Sequence, residues 1–555
     1  MKPLFYNSPA RVVKQLVEAM IFEQLVPAQE HAPNTWIWKG KSRIFKCHGR
    51  KSAFGRFRLQ SLPVWVRNEK GWTDACLLDL VDELPANHWT KQQLIHELVR
   101  TAMFCEWNDH YVEVPDTRVA LPYEELESLL VEGHPYHPCF KSRVGFTLDD
   151  HGQYGPEGGT SFPVQWVAVR RENVCGQEPD WCELLGEVLF HRLVHEMNKR
   201  GVSLASHTPF PVHPWQWENS EKKWPETIPL FIAGSFRATQ SVRTLWNADH
   251  LRRPHMKLSM NIRQTSSMRT LDPASLCAAP AISTWLYHIQ QTDPVLAGTV
   301  ILREFSALAI EEVKGQLGVL WRESVRAYLT TGEEAVPFNA LSLTERNGQL
   351  FIQPWLEKYG VKAWVERLVE VAVIPVWHLL AVHGVALEAH AQNMILIHEQ
   401  GWPVRVALRD FHESVEYVPD FLKDPSLVPD FGAFHESFHQ SKPGEAYWMN
   451  SVEALRELVM DTLFVFHLSD LSYQLEEKHS YEEEDFWTVI SQAIRVHMSQ
   501  QPEWEKRNRQ LGWDQPFIQT ESLFSKKLSE HEREWRHLVP NIFYSIERKA
   551  THAVY

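Results

Sequence analysis

The sequence predicts an α+β protein with more than one domain. Amphipathic helical periodicity marks stretches such as residues 8–21 and 361–383, while short β-prone runs are bounded by Gly and Pro turns. At 555 residues the chain is too long for one hydrophobic core, and about three domains are expected.

Residues 1–132 are predicted to form a supporting domain, because they hold no concentrated polar chemistry. Ser8-Pro9 is typical of a helix start, and an apolar helical face follows it. Further along this part, strands are predicted over 44–57 and 62–67, and helices over 91–104 and 123–131.

Residues 133–320 and 321–555 are predicted to be the second and third domains. The second is rich in His, Arg, Ser and Thr and contains a long helical pattern over 181–199. In the third, helical patterns over 361–383, 452–475 and 486–499 surround a β-hairpin.

Composition excludes several classes of protein. The net charge of -14 argues against nucleic acid or an anionic membrane as the main partner, so any anionic ligand must be held by a local group of cations. The seven cysteines include no CxxC pair, which predicts neither a zinc site nor a disulfide framework. The apolar stretch 371–385 is too short and too interrupted for a membrane span, and the first residues lack the apolar core of a signal peptide. We therefore expect a soluble cytoplasmic protein.

The densest polar cluster precedes the predicted hairpin. Glu388, His390, Gln392 and Asn393 come just before one apolar run, and Asp410 follows the second. The hairpin would bring these groups together, and their oxygens suit Mg²⁺, while His390 can move a proton near neutral pH. The alternative is a polar strand end with solvated side chains.

Three further motifs offer cations and hydroxyl groups. In GHPYHPCFKSRVGF, prolines hold His134 and His137 on an extended segment. Lys141 and Arg143 follow nearby and can donate hydrogen bonds to a bound anion. Zinc binding by the histidines and a solvated turn are the alternatives, although no third soft ligand is near.

The other two motifs are ATQSVRT and KLSMNIRQTSSMRTL, and the second alternates polar and apolar residues as a half-buried strand does. Their cationic and hydroxyl side chains predict a cradle for ATP phosphates and an organic acid, with a solvated strand edge as the alternative. This cradle comprises Ser241, Arg243, Lys257, Thr265 and Arg269.

Taken in order, GHPYHPCFK, QSVRT, KLSMNIRQTSSMRTL, EAHAQN and LRDF resemble the NRPS-independent siderophore (NIS) synthetases, the IucA/IucC-like family, over residues 133–411. The resemblance implies a hand of thumb (1–132), fingers (133–320) and kinase-like helical palm (321–555), with ATP between fingers and palm, and a homodimer. It also implies that ATP and Mg²⁺ convert a carboxylate of citrate, or of a citrate derivative, into an acyl adenylate. A polyamine, a hydroxylated amine or an alcohol then attacks the adenylate, giving an amide or ester, AMP and pyrophosphate.

The matching motifs also assign roles. ATP would be bound by His134, Lys141, Ser241, Arg243, Lys257 and Gln392. The acid would be bound by Thr265, Arg269 and His390, and the metal by Glu388, Asn393 and Asp410. Lys257, Arg269 and His390 would be catalytic, through positioning, electrostatics and proton transfer.

Two other classes remain alternatives at this point. The hairpin is also typical of small-molecule kinases, in which an Asn and an Asp bind Mg²⁺ on either side of a hairpin. However, Ala391 and Gln392 stand where the kinase catalytic Asp is expected. The other alternative is a nucleotide-binding interaction protein without turnover.

Overall fold

The chain folds into a mixture of helices and mostly antiparallel sheets, so the predicted mixed class is confirmed. The computed structural model describes residues 8–69, 71–220, 224, 227–529 and 535–553. Three of its sheets have four or more strands.

The first sheet is a five-stranded antiparallel meander near the N-terminus, in the order β1-β2-β3-β4-β5. Its strands are Gln29–Ala32, Thr35–Lys39, Ile44–Lys51, Phe57–Asn68 and Gly71–Asp74 (β1–β5). The helices of this part are Ser8–Phe22, Leu77–Glu83, His88–Tyr111 and Tyr123–Leu129 (α1–α4). The helix predicted from Ser8 is confirmed, and α1 packs against β4 and α3. The strand predicted over 44–57 ends early, because Phe54 and Gly55 turn the chain with φ of 56° and 72°.

The second sheet has eight strands, in the order β7-β15-β16-β11-β10-β9-β6-β8. The strands from this part of the chain are Phe162–Arg170, Cys175–Gln177, His207–Val212, Ile228–Ala238, Thr244–Asn247, His255–Leu258, Met260–Gln264, Ser267–Arg269, Val300–Ile301, Glu304–Ala309 and Gly318–Arg322 (β6–β16). The helices are Leu148–Tyr154, Trp181–Leu185, Glu187–Lys199, Pro214–Ser220 and Pro273–Thr292 (α5–α9).

Two predicted elements in this part are divided. The helix predicted over 181–199 is broken at Gly186, whose φ of 75° no helix accommodates. The predicted strand of KLSMNIRQ is split at Ser259, so that β11 pairs with β16 while β12 pairs with β13 in a separate hairpin. The predicted alternation holds within β12, where Met260 and Ile262 are buried and Asn261 and Arg263 are more exposed, but Ser259 at the break is buried as well.

The C-terminal part is mainly helical around a four-stranded sheet, in the order β14-β20-β19-β17. Its strands are Glu333–Pro337, Val385–Leu387, Met394–Glu399, Trp402–Leu408, Val415–Tyr417, Phe517–Glu521 and Arg536–Pro540 (β17–β23). Its helices are Gln353–Tyr359, Val361–Leu368, Ile374–His378, Val452–Val459, Ser469–His479, Glu483–Met498, Pro502–Leu511, Ser525–Leu528 and Ile542–Ala553 (α10–α18). The predicted hairpin is confirmed as β19 and β20.

Two long helices of this part contain π-helical segments. Val369–Val373 and Leu379–His383 flank α12, and Met460–Leu468 joins α13 to α14. The helices predicted over 361–383 and 452–475 are therefore continuous, but their pitch changes along the way.

The two ends of the chain share one core. A continuous cluster of buried apolar side chains includes Val12 in α1 and Ile546 in α18. The buried carboxylate of Glu23 accepts hydrogen bonds from the backbone N–H groups of Phe524 (2.8 Å) and Ser525 (2.6 Å). Tyr136 donates its hydroxyl to the same carboxylate at 2.6 Å. The N-terminal part is therefore joined to the last helices of the described chain by apolar packing and hydrogen bonds.

Leu16→Ala tests this shared core. Leu16 is 0% exposed, and its truncation should lower the free energy of unfolding by about 2–5 kcal/mol, the cost of lost contacts and a cavity. Leu78 is 54% exposed on α2, and Leu78→Ala should change this energy by about 0.5 kcal/mol at most. Denaturant unfolding of both variants checks the difference, and equal effects would contradict the shared core.

Candidate active site

Asp410 stands at the centre of a group of buried charges. It follows β20 with a left-handed backbone (φ 64°), and its Oδ1 accepts from Arg322 Nη1 at 2.5 Å and lies 3.4 Å from Lys257 Nζ. Lys257 and Arg322 belong to β11 and β16, which are neighbours in the eight-stranded sheet. The end of the hairpin is thereby joined to that sheet by ion pairs.

These charges control one another's protonation. Burial alone would raise the pKa of Asp410, but Arg322, Lys257 and Arg409 hold it well below its usual value. Burial lowers the pKa of Lys257, and the charge of Asp410 only partly opposes that effect. Asp410 is therefore ionised at neutral pH.

A buried glutamate and a histidine extend this group. Glu304 Oε1 accepts from His412 Nδ1 at 3.0 Å and from the Phe411 N–H at 3.3 Å. On its other side, His412 Nε2 lies 3.3 Å from Lys257 Nζ. Glu304 Oε2 is buried and has no hydrogen-bond partner among the described residues. One oxygen of this buried carboxylate is thus available to a further ligand.

Glu304, Arg322 and His412 were not among the predicted site residues. Glu304 begins β15 and Arg322 ends β16, and in LREFSALAI and GVLWRE each stands next to a residue of opposite charge. A buried charge needs a partner, so a charge at the end of an otherwise apolar strand is a usable sequence signal for a site. The sequence alone does not show which partner it meets.

The predicted metal residues lie at the base of the hairpin. Asn393 Nδ2 donates to the Glu388 carbonyl at 3.0 Å, and the Arg409 N–H donates to the Asn393 carbonyl at 3.0 Å. Glu388 Oε2 accepts from Ser414 Oγ at 3.0 Å. Asn393 therefore links the segment that carries Glu388 to the segment that carries Asp410.

Asp410 also belongs to a second set of possible metal ligands, which does not include Glu388 or Asn393. One ligand atom each from Glu304, Asp410 and His412 lies within 4.8 Å of the others. Of the predicted metal residues, Asp410 is thus the one whose carboxylate lies close to two other potential metal ligands.

The predicted phosphate residues of the QSVRT motif lie beside this group. Arg243 is buried and donates to the Thr270 carbonyl, and Ser241 Oγ lies 2.7 Å from Thr244 Oγ1. Burial lowers the pKa of Arg243, an effect opposed by the charges of Glu413 and Asp410. A cation held next to these carboxylates is well placed for an anionic ligand.

Thr265 and Arg269, predicted to bind the acid, are in direct contact. The β12–β13 hairpin turns at Thr265 (φ 55°), and Arg269 Nη2 donates to Thr265 Oγ1 at 3.2 Å. Burial and the charge of Arg243 lower the pKa of Arg269 to about 10. Arg269 remains a cation at neutral pH.

His134 and His390 are held in similar ways. Backbone N–H groups of Tyr136 and His137 donate to His134 Nδ1 at 3.1 and 3.0 Å, and that of Gln392 donates to His390 Nδ1 at 3.1 Å. Each neutral ring therefore carries its proton on Nε2, as a donor. Burial, and next the charge of His390, lower the pKa of His134 to about 3.

His390 Nε2 lies 3.8 Å from Glu388 Oε1, and the His390 side chain is 33% exposed. Gln392 is the remaining predicted ATP residue of the EAHAQN motif. Its backbone carbonyl accepts a hydrogen bond from Arg409 Nε at 2.8 Å. Both residues thus lie on the segment that Asn393 links to Asp410.

The structure does not place Lys141 beside the charged residues around Asp410. Lys141 is buried and forms an ion pair with Glu157, which also accepts from Arg143 Nη1 at 2.8 Å and Nη2 at 2.9 Å. Arg143 Nη1 further contacts His151 Nδ1 at 2.7 Å. Both cations of this motif are neutralised inside the protein, and His134 alone of its predicted ATP ligands faces the other site residues.

Comparison with known proteins agrees with this arrangement. Residues 122–343 match the IucA/IucC family, and residues 362–534 match a family described as a ferric iron reductase FhuF-like transporter. None of the helices in the described part of the chain has both the length and the apolar character of a membrane span.

Individual relatives match along nearly the whole chain. A citryl-spermidine/3,4-dihydroxybenzoyl-citryl-spermidine:spermidine ligase of Bacillus anthracis is 36% identical, over 96% of this chain and 93% of that one. The crystal structure of petrobactin biosynthesis protein AsbB from Bacillus anthracis str. Sterne has a TM-score of 0.92 at 33% identity, over 99% of this chain and 97% of that one. ATP-bound aerobactin synthetase IucA from a hypervirulent pathotype of Klebsiella pneumoniae shares the fold, with a TM-score of 0.73 at 16% identity over 96% of this chain and 99% of that one.

The relatives are thus ligases and synthetases of siderophore biosynthesis. The chain belongs to the IucA/IucC family of NRPS-independent siderophore synthetases.

Asp410→Asn tests the charge balance of the site. Removing one partner from a buried ion pair should lower stability at pH 7 by about 3–5 kcal/mol. Because the folded pKa of Asp410 is depressed, the ionised group stabilises the protein above its unfolded pKa of about 3.9, and this contribution is lost as pH falls toward the folded pKa. The stability difference from the unmodified protein should therefore be constant above about pH 5 and shrink below pH 4.

Unfolding temperatures between pH 3 and pH 7 measure this difference. Asp420→Asn, at an exposed carboxylate, is the matched control and should show no such trend. A difference that does not change with pH would contradict the depressed pKa of Asp410.

Proposed function

We propose that this protein is an ATP-dependent siderophore synthetase that adenylates a carboxylate of citrate, or of a citrate derivative. An amine or hydroxyl nucleophile then attacks the adenylate, giving an amide or ester, AMP and pyrophosphate. The thumb, fingers and palm division at 1–132, 133–320 and 321–555 belongs to this proposal. A homodimer and a cytoplasmic location also stay predictions.

One observation carries the proposal: Arg243, Lys257 and Arg322 gather around Asp410 where the eight-stranded sheet meets the hairpin. Adenylation places negative charge on the departing pyrophosphate, and fixed cations in a water-poor site stabilise that charge. The overall charge of -14 makes this local excess of cations meaningful.

The contacts support separate roles for the basic residues. Arg243 and Lys257 are proposed to bind the phosphates, with Ser241, Gln392 and the His134 Nε2–H as further donors. Arg322, which contacts Asp410 directly, is added to this set. Lys141 is left out because Glu157 already neutralises it.

The acid is proposed to bind Thr265, Arg269 and His390. The hydrogen bond between Arg269 and Thr265 fixes a guanidinium beside a hydroxyl group, an arrangement suited to a carboxylate. His390, which donates through Nε2 in its neutral form, suits a second carboxylate of the same acid. This hydrogen-bonding pattern favours a donor role for His390 over that of a base that takes the nucleophile's proton.

The residues present also fit Mg²⁺, which the family implies. The buried, unpartnered Glu304 Oε2 next to ionised Asp410 is an oxygen site that a hard cation would satisfy. Asp410 would hold the ion, with Glu388 and Asn393 or with Glu304 as further oxygen ligands. Bound there, Mg²⁺ would neutralise phosphate charge.

The residues of the chain do the remaining work by positioning. Lys257 and Arg322 both pair with Asp410, so either cation can turn toward a phosphate while the other still pairs with that carboxylate. His412, fixed by Glu304, limits the movement of Lys257. The kinase alternative gains no support, because the relatives are named as ligases and synthetases.

The nucleotide product tests the reaction class. Purified protein with ATP, Mg²⁺, citrate and a panel of polyamines and hydroxylated amines should release AMP and pyrophosphate, in amounts that depend on the acid. Citryl monoamides should be assayed in parallel, to cover an enzyme that acts on a citrate derivative. Formation of ADP, with the phosphoryl group transferred to a substrate, would overturn the proposal in favour of a kinase.

Arg269→Ala tests the acid site. We expect kcat/KM for the acid to fall by a factor of about 100 or more, because a charge-assisted, positioned contact is lost. Arg263→Ala is the matched control, since Arg263 lies in the same hairpin with an exposed side chain. Steady-state kinetics with varied acid compares them, and equal losses in both variants would argue against a specific role for Arg269.

A further inference from the structure

A second cluster of metal-ligand side chains lies apart from the candidate active site. His378 Nε2 and His383 Nε2 both approach Asp293 Oδ2, at 3.1 and 2.8 Å. All three residues are nine-tenths or more buried, and their ligand atoms lie within 4.8 Å of one another. Two imidazoles and one carboxylate oxygen therefore converge on a single point.

An irregular helix creates this convergence. His378 ends α12, and the chain continues to His383 as a π-helical segment. In a regular α-helix, residues five apart point roughly 140° away from each other. Hydrogen bonds from residue i to i+5 place such residues on one face, and π-helical turns are frequent at functional sites.

Groups outside the cluster hold its ligands in position. His378 Nδ1 lies 2.8 Å from His497 Nε2, and Asp293 Oδ1 accepts from the Val295 N–H at 2.9 Å. Such outer contacts fix ring orientation and tautomer in known metal sites. If Nε2 of His378 binds an ion, its proton moves to Nδ1 and is donated to His497.

One cation lies beside the cluster. Lys423 Nζ is 3.6 Å from Asp293 Oδ2, and the Lys423 side chain is 50% exposed. The Lys423 N–H donates to the His383 carbonyl at 3.1 Å, which keeps this residue beside the cluster. Because the long side chain can turn into solvent, its ammonium competes with an ion without blocking it.

We propose that Asp293, His378 and His383 bind one divalent transition-metal ion of the Zn²⁺ or Fe²⁺ type. Two imidazoles and a carboxylate with open positions suit such ions, whereas Mg²⁺ prefers oxygen ligands. His383 is followed at once by Gly384 and β18, and Glu388 comes directly after that strand. The ion would therefore brace the segment that carries the EAHAQN motif. This inference does not depend on the proposed reaction.

Metal binding by the full chain tests the site. Protein freed of metal with a chelator is dialysed against Zn²⁺ and, without oxygen, against Fe²⁺, and bound metal is measured by mass spectrometry. One ion per chain should bind, and Asp293→Asn should weaken its binding by about tenfold or more. Asparagine keeps an oxygen for the Val295 N–H, and circular dichroism checks that the variant folds.

Lys423→Ala gives a test that does not depend on disturbing the core. Removing the competing ammonium should tighten Zn²⁺ binding roughly two- to fivefold, the range of a half-exposed charge contact. His412→Ala is the control for the candidate active site and should retain the ion.

Three outcomes would overturn the proposal. The first is that neither the unmodified protein nor Lys423→Ala binds a stoichiometric amount of metal. The second is that Lys423→Ala binds Zn²⁺ with unchanged affinity. The third is that His412→Ala loses the ion while Asp293→Asn retains it.

Discussion

The contact of Asp410 with Arg322 and Lys257 is the constraint on which the candidate active site depends. Burying three charges is costly unless each has a partner, so the hairpin and the eight-stranded sheet must meet in one arrangement. That requirement positions the hairpin, and with it the polar segment before β19. The same charges are then available to a ligand, since the protein has already borne the cost of desolvating them.

The elements of the fold were largely predictable because periodicity is a local property. The helix that begins at Ser8, the long helices over 361–383 and 452–475, and the β19–β20 hairpin follow from spacing and from turn residues alone. Sequence patterns did not reveal the points where a predicted helix or strand is interrupted by a single residue with positive φ, as at Gly186 and Gly55. The changes of pitch in the long helices were also missed, since a period of 3.6 does not reveal a π-helical turn.

The candidate site was predictable where polar residues cluster in sequence, as they do before β19. It was not predictable for Glu304 and Arg322, which stand at strand ends beside a residue of opposite charge and contact more distant partners in the fold, His412 and Asp410. For Lys141, the basic motif did not reveal that its ammonium would pair with Glu157 inside the protein. Partner choice among charges depends on tertiary contacts, which no local pattern records.

The contact of Glu23 with residues 524 and 525 has a consequence for synthesis on the ribosome. Burial raises the pKa of this carboxyl, and hydrogen bonds from Ser525, Tyr136 and Phe524 oppose that rise. Two of those partners lie some 500 residues further along the chain. At elongation rates of about 5–20 residues per second they emerge roughly 25–100 s after Glu23 does. Until then α1 lacks part of its final packing surface, so a nascent chain stalled before its last helices would expose the apolar face of its first.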